Sequence, residues 1–213
     1  MANPFDFFEE IYCINLDHRT DRWANVQKEF EKLGIKDRVQ RFSALKRPDG
    51  RIGLIKSTLE ILKISRKKGL ENVLILEDDV TFINNPLQNL ELAINQLKEN
   101  NFEWQLFYLG ANTHNKLNKV TPNLILLRNA FATHSLAYHK SIYKKVIDYA
   151  TVTDKIITIV QVLDVWLSTV IQSNNKTYMV NPIITTQIES YSDIEKKVIN
   201  YDYIEERFKT NIK

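Results

Sequence analysis

Residues 73 to 80, Val73-Leu74-Ile75-Leu76-Glu77-Asp78-Asp79-Val80, run four aliphatic side chains straight into three consecutive carboxylates. The aliphatic run carries no helical stripe and follows a helical segment closed by Gly69. It therefore reads as a strand buried on both faces in a parallel sheet. The carboxylates then stand just past the strand's carboxyl end, the edge where ligands bind in open α/β sheets. Three adjacent like charges repel and lose hydration on packing, and a divalent cation is the usual remedy. A solvated acidic turn, or the cap of a following helix, is the alternative.

Upstream of this strand, Ile11 to Leu16 is apolar and stops at the polar cluster Asp17-His18-Arg19-Thr20-Asp21-Arg22. Trp23, Val26, Phe30 and Leu33 follow at helical spacing, with Gly34 placed to end the helix. Parallel strands share a carboxyl-end face, so this polar loop falls on the same edge as the acidic cluster. Two readings of Asn15, Arg19 and Arg22 stay open: an amide and two guanidinium groups offered to a nucleotide, or ion pairs with Asp17 and Asp21. Val39 to Ala44 predicts a second strand, followed by the basic turn Lys46 to Arg51. Ile55, Leu59 and Leu62 then stripe a helix whose Arg66-Lys67-Lys68 suit its negative end.

Downstream, Pro86 opens a helix striped by Leu87, Leu90, Ile94 and Leu97, and Trp104 to Leu109 reads as a strand ended by Gly110. Strand and helix alternate to this point. That order predicts an α/β fold, a mostly parallel central sheet with helices on both faces. Beyond Gly110, Thr113 to Pro122 reads as a polar surface loop, and Leu124 to Leu127 and Phe131 to Tyr138 as short strands. Ile142 and Val146 belong to a helix, Thr153-Asp154-Lys155 to a break, and Leu163, Leu167 and Val170 to another helical stripe. Tyr178 to Val180 is a late strand, and Ile194, Val198 and Phe208 predict a terminal helix.

The 213 residues suit one core, so residues 1–213 are read as a single domain. With 44% hydrophobic and 26% charged residues, the balance is that of an ordinary globular chain. A net charge of +3 is too small to mark a nucleic-acid surface. One cysteine, Cys13, rules out an intramolecular disulfide and fits a reducing compartment. The opening residues lack a secretory pattern and no run reaches the length of a membrane span, so a cytoplasmic location is expected. No Gly-rich phosphate loop occurs, which argues against an ATPase or a dehydrogenase. His18, His114 and His139 are scattered without the spacing of a zinc site.

The segments IYCINLDHRTDRW, GLIKSTLEIL and NVLILEDDVTF, in that order, resemble glycosyltransferase family 25, which includes lipooligosaccharide and collagen galactosyltransferases. The family pattern has an opening strand carrying Asn-Leu and basic residues, a Gly-led helix with a Ser-His pair, and a Leu-Glu-Asp-Asp strand end. Ser57 stands where the family has its serine, and Thr58 where it has the histidine. A fainter match runs through Ala132 to Tyr138 and Val162 to Leu167. The resemblance implies a single Rossmann-like domain of the GT-A type. It also implies a UDP-sugar donor, glucose or galactose, a Mn2+ or Mg2+ ion, and inversion at the transferred sugar. The acceptor would be a glycan, glycolipid or protein hydroxyl.

On that reading, Asp79 is the first choice as metal ligand and Asp78 the second, with Glu77 orienting its neighbours or holding the ribose. Asn15, Arg19, Arg22, Ser57, Glu77, Asp78 and His134 make the donor-binding set. Asp164, a lone carboxylate in an apolar segment, is the candidate base for the acceptor hydroxyl, or else an acid satisfied at a helix start. His134 and Ser135 interrupt an apolar strand, so His134 either lines the pocket or is a hydrogen-bonded core histidine. Two other classes remain: a nucleotide-sugar-binding protein with weakened turnover, marked by Thr58, and a sugar nucleotidyltransferase.

Overall fold

The computed structural model describes residues 3–153, 163–192 and 197–212. The first half runs β1 (Glu10–Asn15), α1 (Thr20–Lys32), β2 (Val39–Ser43), α2 (Gly50–Lys68), β3 (Asn72–Glu77), β4 (Val80–Phe82), α3 (Pro86–Glu99) and β5 (Leu106–Tyr108). Shorter pieces follow: β6 (Asn112–Thr113), β7 (Asn118–Thr121), β8 (Leu124–Leu126), β9 (Ala130–Phe131), β10 (Ser135–His139) and α4 (Lys140–Thr153). The chain continues through α5 (Leu163–Trp166), β11 (Thr177–Val180), β12 (Thr185–Gln187), β13 (Ser190–Ser192), β14 (Lys197–Ile199) and α6 (Tyr203–Asn211).

Eight strands form the central sheet in the order β2-β1-β3-β10-β5-β11-β8-β7. β1 is parallel to β2 and β3, and β5 is parallel to β11. β10 runs against both β3 and β5, and β8 against both β11 and β7. All strands but β8 and β10 therefore share one direction, so the sheet is mixed and mostly parallel, as the alternation of strand and helix predicts.

Side chains alternate across a strand, so each strand feeds two cores. Tyr12, Ile14, Val73 and Ile75 belong to one, where Ile55, Leu59 and Leu62 of α2 and Ile142 and Val146 of α4 cover them. Ile11, Cys13, Leu74 and Leu76 belong to the other, under Val26 and Phe30 of α1 and Leu90 and Ile94 of α3. Each such aliphatic side chain contributes about 1.5–3 kcal/mol when fully buried. Both faces of β3 are covered, which is what its unbroken aliphatic run requires. Gly34 and Gly69 take the left-handed conformation just past α1 and α2, and Asp49 caps α2 by accepting from the Arg51 amide. No helix among the described residues is long and apolar enough to cross a membrane.

Several expectations need correction. The polar stretch Thr113 to Pro122 contains β7, whose exposed, polar composition suits a strand at the sheet edge. Phe131 to Tyr138 is not one strand, because Ala132 has φ +70° and separates β9 from β10. The stripe from Leu163 becomes α5, a π turn and a 3-10 turn, which leaves Val170 39% exposed. Val198 lies in β14 at 62% exposure, and the terminal helix begins only at Tyr203. Asp154, Lys155, Val162 and Ile194 lie outside the described residues.

Candidate functional site

Three ladder neighbours meet at one edge of the sheet. β1 and β3 are parallel with Ile14 opposite Glu77, so their carboxyl ends coincide. β10 is antiparallel with Ser135 opposite Leu76, so its amino end arrives at the same place with Thr133 and His134 just before it. A second ribbon closes the corner: β4 pairs with β12, opposing Val80 to Gln187.

The acidic turn is held from all of these elements. Asn15 Nδ2 donates to Asp78 Oδ2 at 2.6 Å, and Arg22 Nη1 donates to Asp78 Oδ1 at 2.8 Å. The same guanidinium nitrogen stands 3.3 Å from Asp79 Oδ2, while Gln187 Nε2 donates to Asp79 Oδ1 at 3.2 Å. Thr133 Oγ1 donates to Glu77 Oε1 at 2.9 Å, and the Glu77 amide donates to the His134 carbonyl at 2.9 Å. Asp78 and Asp79 are buried, at 6% and 4% exposure, and Glu77 is half-buried. Burial and the neighbouring charges of Asp79 and Asp78 push the Glu77 carboxyl up to about 8, against the opposing Thr133 hydrogen bond. Asp79 is also raised, chiefly by burial, with Arg22 pulling the other way.

These carboxylates open onto a cleft of roughly 650 Å³. On the β1 and β2 side its lining carries His18, Lys46, Arg47 and Arg51, with the first turn of α2 beneath them. Gly53 is required there, because a Cβ at that position would lie 2.7 Å from the Leu45 carbonyl. Ala132, Thr133, Asp164, Gln187 and Tyr201 line it from the β10 and carboxyl-terminal side. Burial and the charges of Asp79 and Glu77 push the Tyr201 phenol up to about 12, so it stays a hydrogen-bond donor.

Of the residues predicted from sequence, Arg22, Glu77, Asp78, Asp79 and Asp164 line the cleft. Asn15, Arg19, Ser57 and His134 stand outside its lining. Asn15 is an anchor: besides Asp78 it holds the Arg19 carbonyl and accepts from Arg41. Arg19 pairs with Asp21 at 3.0 Å, the ion-pair alternative, whereas Arg22 reaches the acidic turn. Ser57 is fully buried, its hydroxyl donating to the Gly53 carbonyl and accepting from the Leu45 amide, so its bonds go to the backbone behind the cleft. Thr58 is likewise buried and outside the lining.

His134 is a core histidine: it is 0% exposed, its Nε2 lies 3.3 Å from Thr185 Oγ1, and burial lowers its pKa to about 4. Asp164 serves both readings. It accepts from the Val165 and Ala132 amides at 2.7 and 3.3 Å, and it still lines the cleft. Thr133, Gln187 and Tyr201 carry no local signal in the sequence that marks them as site residues. The basic turn Lys46 to Arg51 did stand out, without an assigned role. Among the described residues, no three carboxylate, imidazole or thiolate groups are placed to hold a metal ion between them.

No family model and no curated protein matches the sequence. Solved structures match in fold. A glycosyltransferase involved in the glycosylation of the major capsid of PBCV-1 superposes with a TM-score of 0.55 at 11% identity, covering 94% of this chain and 98% of that one. A197 from STIV reaches 0.48 at 12% identity, over 89% and 92% of the two chains. A UDP-glucose pyrophosphorylase complexed with UDP-glucose reaches 0.45 at 8% identity, over 94% and 80%. The first of these is a likeness of fold alone, the Rossmann-like GT-A type, and it does not single out family 25.

Proposed function

We propose that the chain is a metal-dependent glycosyltransferase that moves glucose or galactose from a UDP-sugar to an acceptor hydroxyl, with inversion. One observation carries the reading: three carboxylates at the end of a buried strand share a cleft with basic groups from the loop beside them. A sugar leaves a nucleotide diphosphate readily only where the charge developing on the diphosphate is neutralised. Lys46 and Arg47 stand on the cleft to do part of this. The quoted family 25 motifs support the same chemistry.

The residues also fit a divalent ion. An ion shared with phosphate oxygens needs only one or two protein carboxylates, and oxygen donors suit Mn2+ and Mg2+. Asp79 would hold it with Glu77 beside it, because the contacts on the Asp79 oxygens, at 3.2 and 3.3 Å, are looser than those on Asp78, at 2.6 and 2.8 Å. When bound, such an ion supplies Lewis-acid stabilisation of the departing diphosphate. Gln187 and Thr133 orient the two carboxylates. Asp164 takes the acceptor's proton, and its two backbone bonds hold it in place for that step. The acceptor is a glycan, glycolipid or protein hydroxyl.

Incubation with a panel of UDP-sugars and Mn2+ should release UDP, and a chelator should stop it. Release that ignores the chelator removes the ion from the reading; failure of every UDP-sugar to bind removes the reading itself. A binding protein without turnover is favoured by one feature, the pairing of Arg22 with both Asp78 and Asp79, which offsets part of the charge a cation would otherwise meet. It predicts UDP binding with no release.

A further inference from the structure

The cleft is not evenly charged. Among its described lining residues every Lys, Arg and His falls between positions 18 and 51, on the loops that follow β1 and β2 and the first turns of α1 and α2. Beyond β3, the described lining from Ala132 onward carries Asp164, Leu163, Val165, Gln187 and Tyr201, and no basic group is among those described residues. The sheet order enforces this division, because β1 and β2 lie on one side of β3 and β10 on the other. Glu77, Asp78 and Asp79 stand at the boundary.

Tyr201 is fixed in this second half by the segment that carries it. Its carbonyl accepts from the Ile204 amide, and α6 is seated by buried Ile204 and Phe208. At its far end, Asn211 accepts from the Leu117 amide and donates to the Thr113 carbonyl. The half-buried ring thus lines the cleft from a segment anchored at both ends.

We infer that the half of the cleft beyond the carboxylates is the acceptor subsite, and that it takes an uncharged, hydroxyl-bearing sugar against the Tyr201 ring while excluding anionic acceptors. The inference rests on the glycosyltransferase reading. A diphosphate belongs on the cationic half, since a second anion beside Asp164 and the acidic turn would meet like charge, and the cation nearest it among the described lining residues, Arg22, is already engaged by Asp78 and Asp79. An aromatic ring presents an apolar face and a polar tip, which matches the C–H face and hydroxyls of a neutral pyranose.

The test uses the full chain with a UDP-sugar that it binds by calorimetry. Matched neutral and anionic acceptors are compared, alkyl glucosides and galactosides against the corresponding glucuronides and sugar phosphates, and acceptor-stimulated UDP release is read. Neutral glycosides should stimulate release at least tenfold more than their anionic partners. Tyr201→Ala should raise the acceptor KM about tenfold and leave the donor KM unchanged, while Tyr201→Phe, which keeps the ring and loses only the hydroxyl, should raise the acceptor KM by less. Val165→Lys should bring the anionic acceptors closer to the neutral ones. Equal use of both classes, stimulation by none of the glycosides, or an unchanged acceptor KM in a folded Tyr201→Ala overturns the inference while donor binding stands. Absence of any UDP-sugar binding to wild type takes down the glycosyltransferase reading, and this inference with it.

Discussion

Arg22 sits against two buried carboxylates that would otherwise repel each other. Removing one partner of a buried ion pair leaves the other charge desolvated, so Arg22→Ala should cost about 3–5 kcal/mol of stability, read as a lower melting temperature. Asp78→Asn in the same background should recover part of that loss, with a coupling on the order of 1–3 kcal/mol. Simply additive losses would show that the two side chains do not act as a pair. The repulsion that the acidic run implies in the sequence is therefore met in part by a guanidinium 56 residues upstream. Asp164 poses a sharper question. Asp164→Asn keeps the size and can still accept from one of the two backbone amides, Val165 at 2.7 Å, but its Nδ2 cannot accept from Ala132 and it cannot take a proton, so the fold should survive while sugar transfer falls on the order of 100-fold with UDP affinity unchanged. Transfer near the wild-type rate would leave Asp164 as a helix-start acid only.

Helix α2 meets the Leu45–Arg47 backbone so closely that Gly53 has no room for a side chain. Gly53→Ala should push the helix start and the basic turn apart, at a cost of about 1–3 kcal/mol in urea unfolding, and weaken UDP binding in calorimetry. Unchanged values in both would mean that the turn does not depend on this contact. Strands β1, β2, β3 and β5 and helices α1 to α3 were legible in the sequence, because the strands read as short apolar runs ended by polar or glycine residues and the helices carry clean stripes, α1 and α2 with glycine stops. The second half was legible only in part, at β8, α4 and β11. β7 is polar because it lies at an edge, and the break between β9 and β10 depends on a positive φ at Ala132 that no glycine or asparagine announces. The site divides in the same way. Glu77, Asp78, Asp79 and Arg22 sit in or next to strand ends that can be read directly. Gln187 arrives through the pairing of β12 with β4, and Tyr201 through a helix anchored on the loop after β6, so their part in the site is written in tertiary contacts alone.

For the molecule as a whole, His134 sets an acid limit. In the unfolded chain it takes a proton near 6.5, whereas burial lowers the folded value to about 4. The unfolded state therefore binds the proton first as pH falls. The stability from keeping this ring neutral is intact above pH 6.5 and is lost as pH falls toward 4, up to roughly 3 kcal/mol. His134→Gln should flatten that part of the stability curve, and melting at neutral pH and near pH 5 checks it. An identical slope in the variant would assign the acid limb to other groups. Glu77 acts with the opposite sign: its raised folded value, about 8 against 4.5, means that stability is lost as pH climbs through that window. The same buried edge also supplies a clock. Cys13 is the chain's one thiol, enclosed in β1, and its ionisation is suppressed by burial and by the charges of Asp78, Asp79 and Glu77. An alkylating reagent can reach it only when the sheet parts beside the acidic turn, so the labelling rate times that opening without any engineered reporter. A ligand that bridges the ends of β1 and β3 would slow the clock, and the size of the slowing would measure how firmly it ties the two strands together.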